Sequence, residues 1–280
     1  MPTIAEKRVF TQRDDVVQVL VASSMGVASV SLSGDIVGEF GIEYRCAASD
    51  VAARGDALAV ATDDDVLVGA FTPTGHGPAV AVSVTDSEVL AVAPDGTVST
   101  LSGEAAVGGN ASDDAPTGDA WTTVGTVEEP RRMDGRLIAA ADGVYRRTDD
   151  GLTYAGLDDV RDVSDRGVPL AVTDEALYTL GNGWMRDLDA PDGESFGCVV
   201  ADADGDRALA ATETTAYERN DATGTDWVDH AEPGLVDAGF AGRHLVAVTE
   251  SGEARVYADG NWRGRMLGLP DVQAVAVPGE

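Results

Sequence analysis

The sequence predicts an all-β fold of seven units, each of four antiparallel strands, closed into a ring: a seven-bladed β-propeller. Three observations predict it. A phrase rich in Ala and Val recurs seven times along the 280 residues. Glycine is abundant, at 33 residues, as a chain of many tight turns requires. No segment sustains the 3.6-residue apolar period of a helix, so helix should be nearly absent.

The phrase reads VLVASSMGVASV at 19–30, ALAVATDDDVLVG at 57–69, VLAVAPDGTVSTL at 89–101 and LIAAADGVYRR at 137–147. It returns as PLAVTDEALYTL at 169–180, ALAATETTAYE at 208–218 and HLVAVTESGEARVY at 244–257. Anchored on Leu20, Leu58, Leu90, Leu137, Leu170, Leu209 and Leu245, the intervals are 38, 32, 47, 33, 39 and 36 residues. Each copy is an apolar strand, a short polar turn and a second strand, which is a β-hairpin. Another short apolar run precedes most copies, as in DVAARGD (50–56), AVSVTDSE (81–88), DVRDVSDRG (159–167), CVVADADGDR (198–207) and LVDAGFAGR (235–243). A glycine-bearing turn with tryptophan follows, as in GDAW (118–121), GNGW (181–184), GTDW (224–227) and DGNW (259–262). The unit is therefore four strands, a to d, of WD40-like length, and residues 1–280 form one domain. A β-sandwich pair does not repeat one unit seven times, and β-helix coils are usually shorter than these intervals.

The two ends complete each other. LPDVQAVAVP (269–278) parallels LDDVRDVSDR (157–166), a strand a, yet no strand b follows it. The first hairpin, 17–32, lacks a strand a of its own. Placing 272–277 innermost in blade one closes the ring and hides a pairing edge. Residues 7–12 are the second candidate for that slot. The 47-residue interval holds AVGGNASDDAPTGDAW (106–121), a polar insertion expected as a loop in the c–d turn of blade three.

The charge balance is 49 acids against 19 bases, net −30, with Lys7 the single lysine. That balance resembles cytoplasmic proteins of extreme halophiles, where a Debye length of about 3 Å at molar salt screens self-repulsion. It excludes a nucleic-acid partner, since no basic patch exists to neutralise phosphates. Apolar runs all fall short of the roughly 18 residues that span a bilayer, and MPTIAEKRVFTQ lacks the pattern of a signal peptide. A cytoplasmic, monomeric protein is expected, with no membrane contact. Evenly spaced apolar runs argue against a disordered acidic chain. Cys46 and Cys198 form no disulfide framework.

With strands assigned, RRTDDGLTYA (146–155) falls on the c–d turn of blade four. It resembles the Asp-box, the Ser-x-Asp-x-Gly-x-Thr-Trp turn of sialidase-like (BNR-type) propellers. Asp149, Gly151, Thr153 and Tyr154 match in position, Thr148 occupies a variable slot, and Arg147 replaces the serine. Gly118/Trp121, Gly181/Trp184 and Gly224/Trp227 look like eroded copies without the aspartate. The resemblance implies a structural turn: aspartate accepts backbone N–H groups, glycine permits positive φ and the aromatic packs between sheets. It also implies that this turn faces away from the binding side. In repeat pattern and composition the whole chain resembles the uncharacterised haloarchaeal β-propeller proteins, which implies the fold and no activity.

The repeat also assigns turns to faces. The b–c turns carry Asp63, Asp64, Asp65, Asp95, Asp142, Asp174, Glu175, Glu213 and Glu250, so six of seven blades contribute to an acidic ring. The a–b turns, on the opposite face, carry Arg54, Arg136, Arg166, Arg207 and Arg243. The ring is read either as a docking face for a cation-rich or basic partner, or as a preference of turns for aspartate.

Catalytic patterns are absent from the sequence. His76, His230 and His244 share no metal-ligand spacing, and H-x-x-E-H, C-x-x-C and Gly-x-Ser-x-Gly do not occur. Cys198 reads as a small buried residue, four blades from Cys46. The inner strands are expected to offer Arg161 and Asp162 in blade four, Asp237 in blade six and Gln273 in the closing strand. One arginine makes no carboxylate clamp. The expected function is non-catalytic binding or scaffolding of an unidentified protein partner, with no cofactor, metal or catalytic residue. The alternative is a degenerate Asp-box hydrolase acting on a carbohydrate or similar polar ligand. A deep pocket with two close carboxylates and an arginine favours the enzyme; a channel lined by Ala, Val and Gly favours the scaffold.

Overall fold

The computed structural model describes residues 16–103, 118–221, 226–231, 234–258 and 260–279. They form seven four-stranded antiparallel sheets, each a meander running outward from an inner strand a. From blade one the inner strands are Val272–Ala276, Ala48–Arg54, Ala81–Val84, Pro130–Asp134, Val160–Ser164, Phe196–Ala201 and Leu235–Ala241. Each contacts the next around a closed ring. Helix among the described residues is one 3-10 turn, Gly118–Ala120.

The C-terminal strand closes the ring. Val272–Ala276 pairs antiparallel with Val16–Ser23, the second strand of blade one, in the order C-terminal strand, 16–23, 26–33, 36–44. The competing segment 7–12 lies outside the described residues, as does most of the insertion at 106–121. Two blade numbers need correction: Arg161 and Asp162 lie in blade five and Asp237 in blade seven. The sequence leaves the polar inner strand Pro130–Asp134 unrecognised, which shifts the count by one.

Burial explains the composition. Strand b is covered on both faces by neighbouring blades, so Glu88–Val92 and Ala208–Thr212 are buried at every position. Alanine and valine suit this layer because the blades converge there and leave little room. Outer strands face solvent in part: only Trp121, Val124 and Gly125 of Trp121–Thr126 are half-covered. Strand b ends in a hydroxyl residue in five blades: Ser23, Thr62, Thr173, Thr212 and Thr249. The hydroxyl oxygen accepts a turn N–H in each b–c turn, from Met25 at 3.3 Å, Asp65 at 2.9 Å, and Ala176, Thr215 and Glu253 at 3.2 Å.

Glycine is required where chains touch. Gly96, at φ +86°, lies under the chain leaving strand d of blade three, where an added Cβ would meet the Val127 carbonyl oxygen at 2.0 Å. The a–b turns of blades five and six press together so closely that a Cβ on Gly167 would lie 2.6 Å from the Gly205 Cα.

Removing residues 272–280 strips strand a from blade one and exposes Val19 and Val21, now at 1% and 0% accessibility. The truncated chain is expected to lose the cooperative thermal transition of the full chain, followed by circular dichroism. The point variant Leu90→Ala keeps the transition but loses about 2–5 kcal/mol of stability in urea titration.

Candidate functional site: the central channel

Each inner strand is a sheet edge, so half of its backbone N–H groups point away from strand b toward its neighbour or the channel. Three aspartates satisfy a set of them. Asp50 accepts the N–H of Val51 and, across the blade boundary, that of Val82, both at 2.9 Å. Asp162 accepts Val163 and Val199 of blade six, both at 2.8 Å. Asp237 accepts Ala238 and Val275 of blade one, both at 2.8 Å. All three follow a register shift, at Ala48/Asp50, Val160/Asp162 and Leu235/Asp237, and that irregularity lets one carboxylate reach both strands.

Arg132, in the inner strand of blade four, sits among them. Its guanidinium donates to the Gln273 carbonyl oxygen at 2.6 Å and lies 3.7 Å from the Asp50 carboxylate. It keeps 22% of its side chain accessible, and that part lines the channel. Burial disfavours its charge, but attraction to Asp237, Asp50 and Asp162 outweighs it and holds the guanidinium above its ordinary pKa. Burial likewise raises the three carboxyls against the pull of Arg132: Asp162 to about 8, Asp50 to about 6, and Asp237 in the same direction. The buried Cys198 thiol is pushed well up by burial and by Asp237 and Asp162, which leaves it protonated and a poor nucleophile.

These groups form one end of a cavity of about 130 Å³. From them it runs along strand a past Ala53, Ser164 and Phe240 to Arg166 and Asp202, at the a–b turns. It holds no constellation of three or more His, Cys, Asp or Glu side chains suited to a metal among the described residues. The lining is mixed: Ala, Val and Gly along the walls, with two arginines and several carboxylates.

A second tier of ties lies nearer the a–b face. Asp134 accepts the Asp165 N–H at 2.7 Å, Ser164 accepts that of Ala201 at 3.2 Å, and Ser83 donates to the Gly135 carbonyl at 2.8 Å. Arg207 donates to the Arg243 carbonyl at 2.8 Å, and the Gly279 N–H to that of Gly55 at 2.7 Å. With the three aspartates, every one of the seven blade boundaries carries a polar tie.

The acidic b–c turn residues divide into two groups. Asp65 accepts the N–H groups of Val66, Gly75 and Gly77, Asp95 that of Thr97, and Glu213 that of Ser195. Asp142 accepts the Glu128 N–H and the Tyr145 hydroxyl, and Asp174 holds Arg161 in a two-pronged pair at 2.5 and 2.8 Å. Asp63, Asp64, Glu175 and Glu250 stand exposed, with Glu175 3.7 Å from Arg186. Arg161 thus points to its own turn and away from the channel cluster, where Arg132 and Asp50 stand unanticipated by the sequence reading.

In the RRTDDGLTYA turn, Gly151 adopts φ +121°. Thr148 donates to the Gly151 carbonyl at 3.2 Å, whereas Asp149 accepts no hydrogen bond among the described residues. Thr153 lies in strand d opposite Arg146, and Tyr154 is 53% exposed, edge-on to Tyr145 and donating to the Leu157 carbonyl. Arg147, in the serine position, reaches Glu88 of blade three at 3.4 Å. By the antiparallel order this turn shares a face with the a–b turns. Trp184 fastens its blade to blade four, its indole N–H donating to Ala155 O at 2.9 Å.

Arg132→Gln removes the cation paired with Asp50 and lying among the channel aspartates, and is expected to lose about 3–5 kcal/mol of stability at neutral pH in urea titration. The pH dependence follows from the raised carboxyls. Between the unfolded value of 3.8 and a folded value of about 8, native Asp162 binds a proton that the unfolded chain has released. Its contribution to stability therefore falls as pH rises through that window, by at most about 1.4 kcal/mol per pH unit. Asp162→Asn is expected to flatten the decline between about pH 6 and 8, above the range where Asp50 adds its own slope.

Comparison with known proteins bears on the fold. A protein of unknown function from Desulfotomaculum acetoxidans superposes with a TM-score of 0.67 at 12% identity, covering 94% of this chain and 99% of the other. The periplasmic gluconolactonase PpgL of Pseudomonas aeruginosa gives 0.60 at 13% identity, covering 94% and 99%. YCF48, solved bound to D1 peptide, gives 0.54 at 13% identity, covering 78% and 82%. At these identities the likeness is one of fold alone. No curated protein sequence matches. Residues 3–278 match the family described as Beta-prop_HVO_0234-like, beta propeller, and the chain belongs to that family.

Proposed function

We propose that this propeller is a non-catalytic binding or scaffolding module that engages a protein partner through its b–c face, in the cytoplasm of a salt-adapted cell. One observation carries the proposal: Asp50, Asp162 and Asp237 each have both carboxyl oxygens engaged by backbone N–H groups of two blades. The charges at the channel centre hold the ring together and are not free for acid–base work on a substrate. The exposed Asp63, Asp64, Glu175 and Glu250 remain for a partner, which fits a basic or cation-rich surface. YCF48, a neighbour in fold, was solved with a peptide bound and supports the same class of role.

A second reading rests on the channel itself. Arg132 beside Asp50, Asp162 and Asp237 meets the description of close carboxylates with an arginine, and a gluconolactonase shares the fold. Under that reading Asp162, protonated at neutral pH, is the acid of a degenerate hydrolase working on a carbohydrate or a lactone.

Two measurements separate the readings. The triple variant Asp63→Asn, Asp64→Asn, Glu250→Gln is expected to keep its melting temperature and lose the partner recovered by the parent protein from native extract at molar salt. Purified protein is expected to show no hydrolysis of aryl glycosides or sugar lactones. Hydrolysis abolished by Asp162→Asn, in a variant that still melts cooperatively, replaces the binding reading with the hydrolase.

A further inference from the structure

We propose that the groove between blades six and seven on the a–b face is an oxyanion site that takes a phosphate group. It lies on the opposite face from the b–c turns and does not depend on the role given to them. Arg207, Glu218, Arg243, His244, Tyr257 and Ala258 line a cavity of about 180 Å³ there. They come from the two a–b turns and the ends of strands b and c in adjacent blades.

The groove gathers cationic and donor groups in a chain that is otherwise acidic. Glu218, only 5% accessible, is matched by Arg207 at 3.1 Å, with His230 Nε2 at 3.6 Å on its other oxygen. The guanidinium of Arg207 is fixed over the Phe240 ring at 4.7 Å and donates to the Arg243 carbonyl at 2.8 Å. One carboxylate and one guanidinium therefore cancel, and the turn bearing Arg243 is anchored beside them. The exposed Arg243 has no carboxylate partner among the described residues; its guanidinium meets only the His244 ring, at 3.5 Å. The Tyr257 hydroxyl, 3.5 Å from His230 Nδ1, is raised in pKa by burial and by Glu218 and stays protonated.

The Arg243 guanidinium and the His244 imidazole, beside the Tyr257 phenol on the blade-seven wall of the groove, suit an anion with three terminal oxygens better than a flat carboxylate with two. Two of the five a–b turn arginines build the groove. Arg54 is spent on Asp86 at 2.6 Å, and Arg166 lies at the channel mouth.

The chain has three histidines, so imidazole NMR reads the site directly. Inorganic phosphate, titrated against sodium chloride at constant ionic strength, is expected to shift His244 saturably. His76, stacked edge-on against Trp121 in a distant blade interface, should stay in place and serves as the reference. Arg243→Gln, at an exposed turn, should keep the melting temperature and weaken phosphate binding at least ten-fold. Acetate at equal concentration should leave His244 unmoved. Parallel, non-saturating shifts of all three histidines, equal binding by the variant, or an equal response to acetate each overturn the proposal. None of these results bears on partner capture by the b–c face.

Discussion

The ring depends on what is done with the edge of strand a. In a closed propeller seven inner strands meet at the axis, and each presents N–H groups that its own sheet leaves unpaired. Asp50, Asp162 and Asp237 take these groups in pairs, one from their own strand and one from the next blade. Three carboxyl groups close together in a poorly solvated channel disfavour one another's ionisation, and Arg132 makes the arrangement tenable. The same arginine donates to Gln273 in the closing strand, so the counter-ion of the channel is also a fastening of the C-terminus. Stability of the ring and charge of the channel are thus one problem with one solution.

That arrangement narrows what the channel can do. A carboxylate that works as a general acid or nucleophile needs an oxygen turned to the substrate, while these oxygens face backbone N–H groups and Arg132. Their raised pKa values arise first from burial, which any carboxyl stapling two strands inside a protein experiences. Perturbed titration alone is therefore a weak sign of catalysis here, because the structural role accounts for it.

The fold is legible in the sequence because strand b is covered on both faces. Continuous Ala/Val/Leu runs such as Leu209–Ala211 stand out seven times, and the missing partner strands at the two ends point to closure by 272–277. Strand a of blade four is illegible by the same logic: PRRMD, at 130–134, carries two arginines and a proline where an apolar run is expected. Passing over it conceals Arg132 and displaces the blade numbers of Asp162 and Asp237. Asp50 is hidden among 49 acids. A signal nevertheless exists: in Asp50-Val51, Asp162-Val163 and Asp237-Ala238 an aspartate precedes a small apolar residue early in strand a. No turn rule explains an acid at that place, since the position is inside a strand.

The two faces follow from the same economy of charge. On the b–c side most acids are bound to turn N–H groups or to arginines of their own blade, as Asp174 is to Arg161. The apparent ring in the sequence shrinks to a few free carboxylates, and specific contact must come from those few and the shape around them. On the a–b side the reverse holds. Arginines placed in turns find acids or carbonyls on the next blade, as Arg54 finds Asp86 and Arg207 finds the Arg243 carbonyl. Those pairs lock adjacent blades at the rim as the aspartates lock them at the axis. Where a turn arginine has no acid within reach, as at Arg243, the same architecture leaves a cation facing a groove. A propeller whose net charge is strongly negative therefore has a local place where an anion is attracted, set by the spacing of its blade ties and not by its overall charge.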